Sequence, residues 1–271
     1  MKSAITVSLV PQAKGGPFVF WNGLEDAFEC AAALGFDAVE IFPPSPDAIE
    51  IETIRALCAR HSLGVAAIGT GGGWVANKWT LTHADADIRR QAREFVRGII
   101  EKAAALGAPA ILGSMQGRWE GEVSREQALA WLGDSLRYLC SHAAERGQVI
   151  LYEPLNRFET NLFNRTADAC AWLHDSHLGT NVRILADLFH MNIEETDIAA
   201  TLREAGSMIG HVHFADSNRN AIGFGHTPIP PIIDALRRTG YTGYLSAEIL
   251  PLPDSATAAR QTIESFRRFT A

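Results

Sequence analysis

The feature that most constrains this chain is a pattern that recurs along its length: a short apolar run, a turn, and an amphipathic helical segment ending near a glycine. This alternation is typical of successive βα units, which build parallel sheets covered by helices. The segment after the first apolar run carries Leu24, Phe28 and Ala31 on one face before Gly35 ends it. The pattern predicts eight strands, at residues 5–10, 38–42, 65–68, 109–112, 149–153, 182–187, 209–214 and 243–248.

Eight βα units are the number that closes a barrel, and the 271 residues are close to the ~250 that such a barrel typically needs. An open, doubly wound sheet shares the same alternation, so periodicity alone leaves that fold as an alternative. The acidic residues favour the barrel, because catalytic groups of a barrel come from the C-terminal ends of several different strands. We therefore predict an α/β protein, a single (β/α)8 TIM barrel forming one domain over residues 1–271.

Charge and cysteine content narrow the range of functions. The net charge of −7 disfavours a nucleic acid partner, because phosphate contacts need clustered Lys and Arg. The four cysteines form no CxxC pair, which favours buried reduced thiols over a zinc ribbon or a redox motif. The N-terminus lacks the apolar core of a secretory signal, and no stretch approaches the ~20 apolar residues of a membrane span. We expect a cytoplasmic enzyme with no membrane partner.

Four consecutive predicted strands each end in a side chain that can ligate a metal. Because strand residues alternate sides, Glu153, Asp187, His213 and Glu248 all take the phase that faces the barrel axis. A single strand-end acid often only caps the next helix or pairs with a cation, but four on matching phases are hard to explain in that way. The sequence therefore predicts a metal site at the C-terminal end of the barrel.

The chemistry of these side chains indicates which ion and which reaction the site suits. Three carboxylates and one imidazole form an oxygen-rich set that suits Mn²⁺ or Mg²⁺ and tolerates Co²⁺. Four protein ligands leave open positions for two adjacent oxygens of a sugar, whose carbonyl the ion would polarise as a Lewis acid. The prediction is metal-assisted proton transfer beside a carbonyl.

Several motifs resemble those of a known family: EPLNRFE at 153–159, ADLFHMNIEE at 186–195, HVHFADSNR at 211–219 and AEI at 247–249. They are similar to the sugar isomerase/epimerase family with xylose-isomerase-like barrels, and most to its D-tagatose 3-epimerase-like (ketose 3-epimerase) branch. The N-terminal half matches only in general architecture. The resemblance implies one divalent ion, Mn²⁺ ahead of Mg²⁺ or Co²⁺, and a homodimer or homotetramer. It also implies roles for seven residues: Glu153, Asp187, His213 and Glu248 as ligands, Glu153 and Glu248 also as the acid/base pair, and Glu159, His190 and Arg219 as substrate contacts.

The surroundings of the site bear on the substrate. The loop after the last strand, LPLPDS, lacks a phosphate-binding glycine nest, and GFGH at 223–226 is the only nearby candidate, so a non-phosphorylated sugar is favoured. Arg118, Arg157 and Lys78 leave room for a sugar acid. Aromatic residues in the same connections would form walls or small loop cores: Phe18, Phe20, Trp21, Trp74, Trp79 and Trp119. His211 is interpreted as a packed, hydrogen-bonded neighbour of His213, and the triplet at 71–73 as a mobile loop.

Alternative functions remain open on the same site. The same ligands support a hydroxypyruvate isomerase-type aldose–ketose isomerase, a keto-uronate epimerase or an inosose dehydratase. A DNA-repair endonuclease of the related barrel type would want more His ligands and a basic surface. A sugar-binding barrel without catalysis would not need both Glu153 and Glu248.

Overall fold

A computed structural model describes residues 1–178 and 180–271. Eight parallel strands pair in sequence order and close into a barrel, with β1 hydrogen-bonded to β8. The predicted (β/α)8 TIM barrel is therefore confirmed. The strands are β1 Lys2–Ser8, β2 Ala38–Phe42, β3 Gly64–Gly69, β4 Ala110–Leu112, β5 Ile150–Tyr152, β6 Val182–Asp187, β7 Ile209–His213 and β8 Tyr244–Ala247.

Helices surround the barrel and follow the strands in turn. The helices end at residues that suit helix caps. Gly35 takes a left-handed conformation after α1, and the Ser124 hydroxyl accepts the Gln127 N–H at the start of α5. None of the helices among the described residues is long and apolar enough to cross a membrane. The helices are α1 Leu24–Leu34, α2 Ile51–His61, α3 Gly72–Asn77, α4 Ala86–Ala105, α5 Arg125–Ala144, α6 Thr166–Asp175, α7 Leu188–Glu194, α8 Ile198–Ala205, α9 Ile229–Arg238 and α10 Ser255–Thr270.

The barrel interior is packed with apolar side chains below the C-terminal strand ends. One buried layer consists of Ala67, Ile111, Leu151 and Leu185, from four successive strands. Leu151 and Leu185 lie two residues before Glu153 and Asp187, so the pleat directs those carboxylates to the same axis one level higher. The layer forms a dry floor beneath the predicted site.

Several local predictions differ from the structure, among them β1, predicted at residues 5–10 and observed at Lys2–Ser8. Glu153 and Glu248 follow β5 and β8 by one residue, although the Glu153 N–H still donates to Leu112 O at 3.1 Å and continues the ladder. The glycine triplet predicted as a mobile loop instead leads into α3, where Gly72 and Gly73 are buried. A Cβ on Gly72 would overlap the carbonyl oxygen of Pro43, so this triplet is needed for close packing.

Candidate metal and active site

The structure brings the four predicted ligands together at the C-terminal end of the barrel. One ligand atom from each of Glu153, Asp187, His213 and Glu248 lies within 4.8 Å of the others. His213 Nδ1 is 3.6 Å from Glu153 Oε1, 3.4 Å from Asp187 Oδ2 and 3.6 Å from Glu248 Oε2. Two ligands of one divalent ion are separated by about 3–4.6 Å, given bond lengths of about 2.0–2.3 Å. The spacing therefore fits a single ion.

Strand pairing explains why these side chains meet. Asp187 pairs with His213 in the register of β6 and β7, and His213 pairs with Ser246 in that of β7 and β8. Asp187 also caps α7, because its Oδ1 accepts the Phe189 N–H at 2.7 Å while Oδ2 faces the cluster. The helix cap fixes the carboxylate that the cluster uses.

The electrostatics of the cluster favour a bound cation. Burial, reinforced by the charges of Glu248 and Asp187, raises the pKa of Glu153 to about 8 despite the nearby His213. Glu153 Oε1 is buried and has no hydrogen-bond donor. Burial also opposes the charge of Asp187, but His190 and His213 outweigh it and hold its pKa below the usual range. A divalent ion fits this donor set, because it would neutralise the crowded carboxylates and fill the place opposite Glu153 Oε1.

Sequence reasoning missed Glu40, which lies on β2 and lines the cavity above the four predicted ligands. Its Oε1 is 3.0 Å from His213 Nε2, and its Oε2 is 2.7 Å from His211 Nε2. Such a carboxylate orients a metal-ligating imidazole by accepting the proton on the ring nitrogen that faces away from the ion. An inward-phase acid in the apolar strand AVEIF was the available signal. His211 is buried and hydrogen-bonded to Glu40, as its position beside His213 predicted.

The three predicted substrate contacts lie around the cluster. His190 Nδ1 receives the Asn156 N–H at 3.3 Å, so the ring proton of the neutral imidazole is on Nε2. Burial lowers the pKa of His190 to about 4, which keeps the ring neutral, and Nε2 is buried without a partner. Arg219 Nη2 lies 2.6 Å from Glu248 Oε2, and Arg219 Nη1 lies 3.5 Å from Glu159 Oε1. The site thus holds an unused N–H donor and a cation beside the carboxylates.

A cavity of about 380 Å³ opens onto this cluster. Glu153, Glu248 and Arg219 lie in its wall, as do Phe18 and Trp74 among the predicted aromatic residues. The other predicted aromatic residues do not line it: Phe20, Trp21, Trp79 and Trp119. Trp79 packs against Phe95 at 6.1 Å between ring centroids and Trp21 against Phe18 at 5.7 Å, as in loop cores, whereas Trp119 is 39% exposed. Only part of the predicted aromatic wall therefore faces the cluster.

The predicted cations for a sugar acid are largely engaged. Arg157 makes an ion pair with Glu194 at 2.9 Å, and Arg118 lies 3.5 Å from Glu120. Lys78 lies over the Trp74 ring, 3.9 Å from its centroid, at the cavity wall. Lys14, which sequence reasoning missed, also lines the cavity. A carboxylate on the substrate would therefore find lysines rather than a free arginine fork.

The glycine motif at 223–226 is bound within the protein. Asp216 accepts the backbone N–H groups of Gly223 and Gly225 at 2.8 and 2.9 Å, and that of Thr227 at 2.9 Å. Burial opposes the charge of Asp216, but these amide donors outweigh it and lower its pKa. Amides that already bind a carboxylate do not offer a phosphate nest, in agreement with the predicted non-phosphorylated substrate.

Comparison with known proteins agrees with this architecture. The model of the xylose isomerase-like TIM barrel family matches residues 28–269. The chain belongs to that family. The D-psicose 3-epimerase of Agrobacterium fabrum is 32% identical over 246 residues, covering 87% of this chain and 79% of that protein. The family resemblance expected from the motifs is therefore confirmed.

Two further relatives differ in the reaction that their names state. The hydroxypyruvate isomerase of Escherichia coli is 29% identical over 231 residues, which cover 83% of this chain and 86% of that enzyme. The crystal structure of 3-keto-D-glucoside 4-epimerase from E. coli has a TM-score of 0.83 at 26% identity, covering 99% of this chain and 100% of that one. The proteins that this chain resembles therefore include both epimerases and an isomerase.

Proposed function

We propose that this protein is a metal-dependent sugar epimerase that inverts C3 of a non-phosphorylated ketose. The observation that carries the proposal is the convergence of two glutamates from separate strands, Glu153 and Glu248, on the place where a metal ion fits. The relatives support it, since ketose 3-epimerases are among them. The choice of a ketose as the substrate and of C3 as the reacting carbon is part of what we propose.

Glu153 and Glu248 are the acid/base pair that we assign to the inversion. A proton beside the carbonyl leaves to a base on one face of the sugar, giving an enediolate, and an acid returns a proton on the opposite face. The two carboxylates follow β5 and β8, which are three strands apart in the closed barrel. In this proposal one glutamate takes the proton and the other supplies it, and the configuration of the substrate decides which.

Glu153, Asp187, His213 and Glu248 would hold the ion, with Glu40 fixing the His213 ring. When bound, a divalent ion supplies Lewis-acid polarisation of the carbonyl. The oxygen-rich donor set favours Mn²⁺, with Mg²⁺ and Co²⁺ as alternatives. Ligation needs a neutral imidazole, so a bound ion would take the place of any proton on His213 Nδ1.

Three further side chains would orient the sugar. His190 presents its unpartnered Nε2–H between Glu153 and Asp187, at 3.7 and 3.6 Å from their oxygens, where a substrate hydroxyl or carbonyl oxygen would accept it. Glu159 Oε1 lies 3.8 Å from His190 Nδ1 and 3.5 Å from Arg219 Nη1, and Glu159 and Arg219 would bind hydroxyl groups. These contacts hold the C–H bond in line with a carboxylate.

Solvent isotope exchange tests the proposal. With Mn²⁺ present, we expect deuterium from D₂O to enter C3 of a recovered ketose, with its C3 epimer as product. Glu153→Gln and Glu248→Gln should each lower turnover by about 10²–10⁴-fold at saturating metal, the range for a general acid or base. Chelation should stop turnover, and added metal should restore it. Near-wild-type turnover in either variant, or in metal-free protein, would show that the mechanism is wrong.

A second candidate reaction is 4-epimerisation of a keto-glycoside, which the structural likeness to such an enzyme favours. Aldose–ketose isomerisation, keto-uronate epimerisation and inosose dehydration use the same residues. Deuterium at C4 would identify 4-epimerisation, deuterium at an aldose carbon would identify isomerisation, and loss of water would identify dehydration. The DNA-repair endonuclease alternative fits less well, because the cluster contains one imidazole and the chain carries a net charge of −7.

We also propose that residues 1–271 act as one domain, in a cytoplasmic homodimer or homotetramer. The closed barrel, which runs from β1 to β8, supports the first part. The assembly rests on family resemblance. Light scattering of the purified protein would measure its mass, and a monomer at working concentration would contradict it.

A further inference from the structure

A second cavity adjoins the one that contains the predicted ligands. It measures about 510 Å³, within the range of about 300–1,000 Å³ typical of small-ligand sites. Trp74, Lys78, Ser114 and Glu159 lie in the walls of both cavities. The two cavities are therefore adjacent, and a molecule held at the metal site would enter the second one by passing Glu159.

Exposed aromatic rings mark this second cavity. Trp74 is 39% exposed and Phe158 is 76% exposed, and both lie in its wall. Rings of this size are normally buried for their large apolar area, so exposed rings beside a substrate cavity indicate a binding surface. Apolar rings with hydroxyl groups nearby, here Thr80 and Thr82, suit the mixed C–H and O–H surface of a sugar.

The charges of the second cavity do not favour a strongly anionic occupant. Its wall contains two carboxylates, Glu120 and Glu159, as well as the cations Lys78 and Arg118. Arg118 lies 3.5 Å from Glu120, and Lys78 lies over the Trp74 ring. An anion would meet carboxylates that offset these cations, whereas a neutral polyhydroxylated ring could hydrogen-bond to both signs of charge.

From these observations, and resting on the proposed function, we infer that the second cavity binds a neutral sugar ring joined by a glycosidic bond to the end of the ketose remote from its carbonyl. The carbonyl end then occupies the cluster of Glu153, Asp187, His213 and Glu248. Trp74 and Phe158 contact the distal ring, and Glu159 lies at the junction. The substrate class is a keto-disaccharide rather than a free monosaccharide.

Two commercially available sugars, fructose and isomaltulose, test this inference. Isomaltulose is fructose carrying a glucosyl group on O6, and both sugars present the same carbonyl and the same C3 proton. Because substitution at O6 also prevents isomaltulose from closing to a pyranose, the effect of a cavity variant on the preference between them is the decisive measurement. With the Mn²⁺-loaded enzyme in D₂O, we expect kcat/KM for exchange at C3 to be at least about tenfold higher for isomaltulose. Calorimetric binding of both sugars gives a readout that does not depend on turnover.

Phe158→Ala is the diagnostic variant, since Phe158 lines the second cavity and not the first. We expect it to reduce the preference for isomaltulose over fructose by about tenfold, mainly through KM. Phe224→Ala is the matched control, because Phe224 is 41% exposed and lies in neither wall. It should leave the preference at the wild-type value.

The outcomes separate the inference from the proposed function. Equal kcat/KM for the two sugars, or an equal loss for both in Phe158→Ala, overturns the subsite while the epimerase stands. Tighter, Phe158-dependent binding of isomaltulose without exchange of either sugar supports the subsite and shows that the reaction is wrong. A lower molecular mass of Phe158→Ala in solution assigns this ring to a contact between copies and overturns the inference.

Discussion

Replacing Glu40 tests whether the carboxylate behind His213 fixes the metal site. Glu40 accepts from both imidazoles, at 3.0 Å from His213 and 2.7 Å from His211. In Glu40→Gln the amide oxygen can still accept from His213, and the amide NH₂ can face His211 after a tautomer change in that ring. The variant therefore keeps both hydrogen bonds and removes the negative charge.

The magnitude follows from the bond that loses its charge. A hydrogen bond to a charged group contributes about 1.5–3 kcal/mol, and a neutral bond is roughly half as strong. A loss of about 1–1.5 kcal/mol corresponds to roughly tenfold weaker metal binding. Glu40→Ala leaves the His213 N–H unpaired, so about 100-fold is expected, the upper end of the effect of such supporting residues.

The change in Mn²⁺ affinity is measured by titrating Mn²⁺ into apo-protein and monitoring binding by calorimetry or by the electron paramagnetic resonance signal of free Mn²⁺. Glu101→Gln is a matched control, because Glu101 Oε1 also lies 3.0 Å from an imidazole, that of His142, but on the helical surface. It should bind Mn²⁺ like the wild type. If Glu40→Gln folds normally and binds Mn²⁺ within twofold of the wild type, Glu40 does not support the site.

Three further predictions concern the loops and the substrate. Asp216→Asn should destabilise the protein by about 1–3 kcal/mol for each backbone amide left unpaired. Folding lowers the pKa of Asp216, so the wild-type protein should be more stable than the variant above about pH 3.9. In urea unfolding this difference in stability should disappear as the pH falls through the pKa of Asp216 in the folded state. Gly72→Ala should lower stability by about 1–3 kcal/mol through its clash with Pro43. Gly133→Ala, in helix α5, should raise it by about 0.5–1 kcal/mol, because a Cβ there would make only ordinary van der Waals contacts, the nearest at 3.6 Å from an Arg137 nitrogen. Equal melting temperatures of the two variants would contradict the packing explanation. Arg219→Lys should raise KM for the ketose about tenfold, since a lysine cannot reproduce the planar donor set, and an unchanged KM would remove this residue from the substrate contacts.

The strands and the side chains that point into the barrel were predictable, because side chains alternate between two faces of a strand and a few consecutive residues are enough to show this alternation. Leu151 and Glu153 follow that period, as do Leu185 and Asp187, and the structure places each pair on the barrel axis. Strand ends were less predictable. Glu153 still bonds to β4 one residue beyond its strand, and β1 begins at Lys2 because its pairing with β8 continues to that residue.

Contacts between distant segments were the part that local pattern could not provide. Glu40 and His213 are 173 residues apart, and only closure of the barrel brings β2 opposite β7. The Gly72 backbone lies against Pro43, so a triplet that looks flexible in sequence is required by a neighbour from another loop. Arg157, which the sequence predicts to be available for a sugar acid, is likewise paired with Glu194 in the fold.

These three cases share one physical origin. A side chain's phase depends on its own strand, whereas its partner depends on which strands and loops the closed barrel brings together. The direction in which Glu153, Asp187, His213 and Glu248 point could therefore be predicted, but the carboxylate behind His213 and the second cavity beside Glu159 could not. Because specificity in a barrel resides in its loops, we expect the four-residue cluster to govern the proposed proton transfer and the loops bearing Trp74 and Phe158 to determine which sugar reaches it.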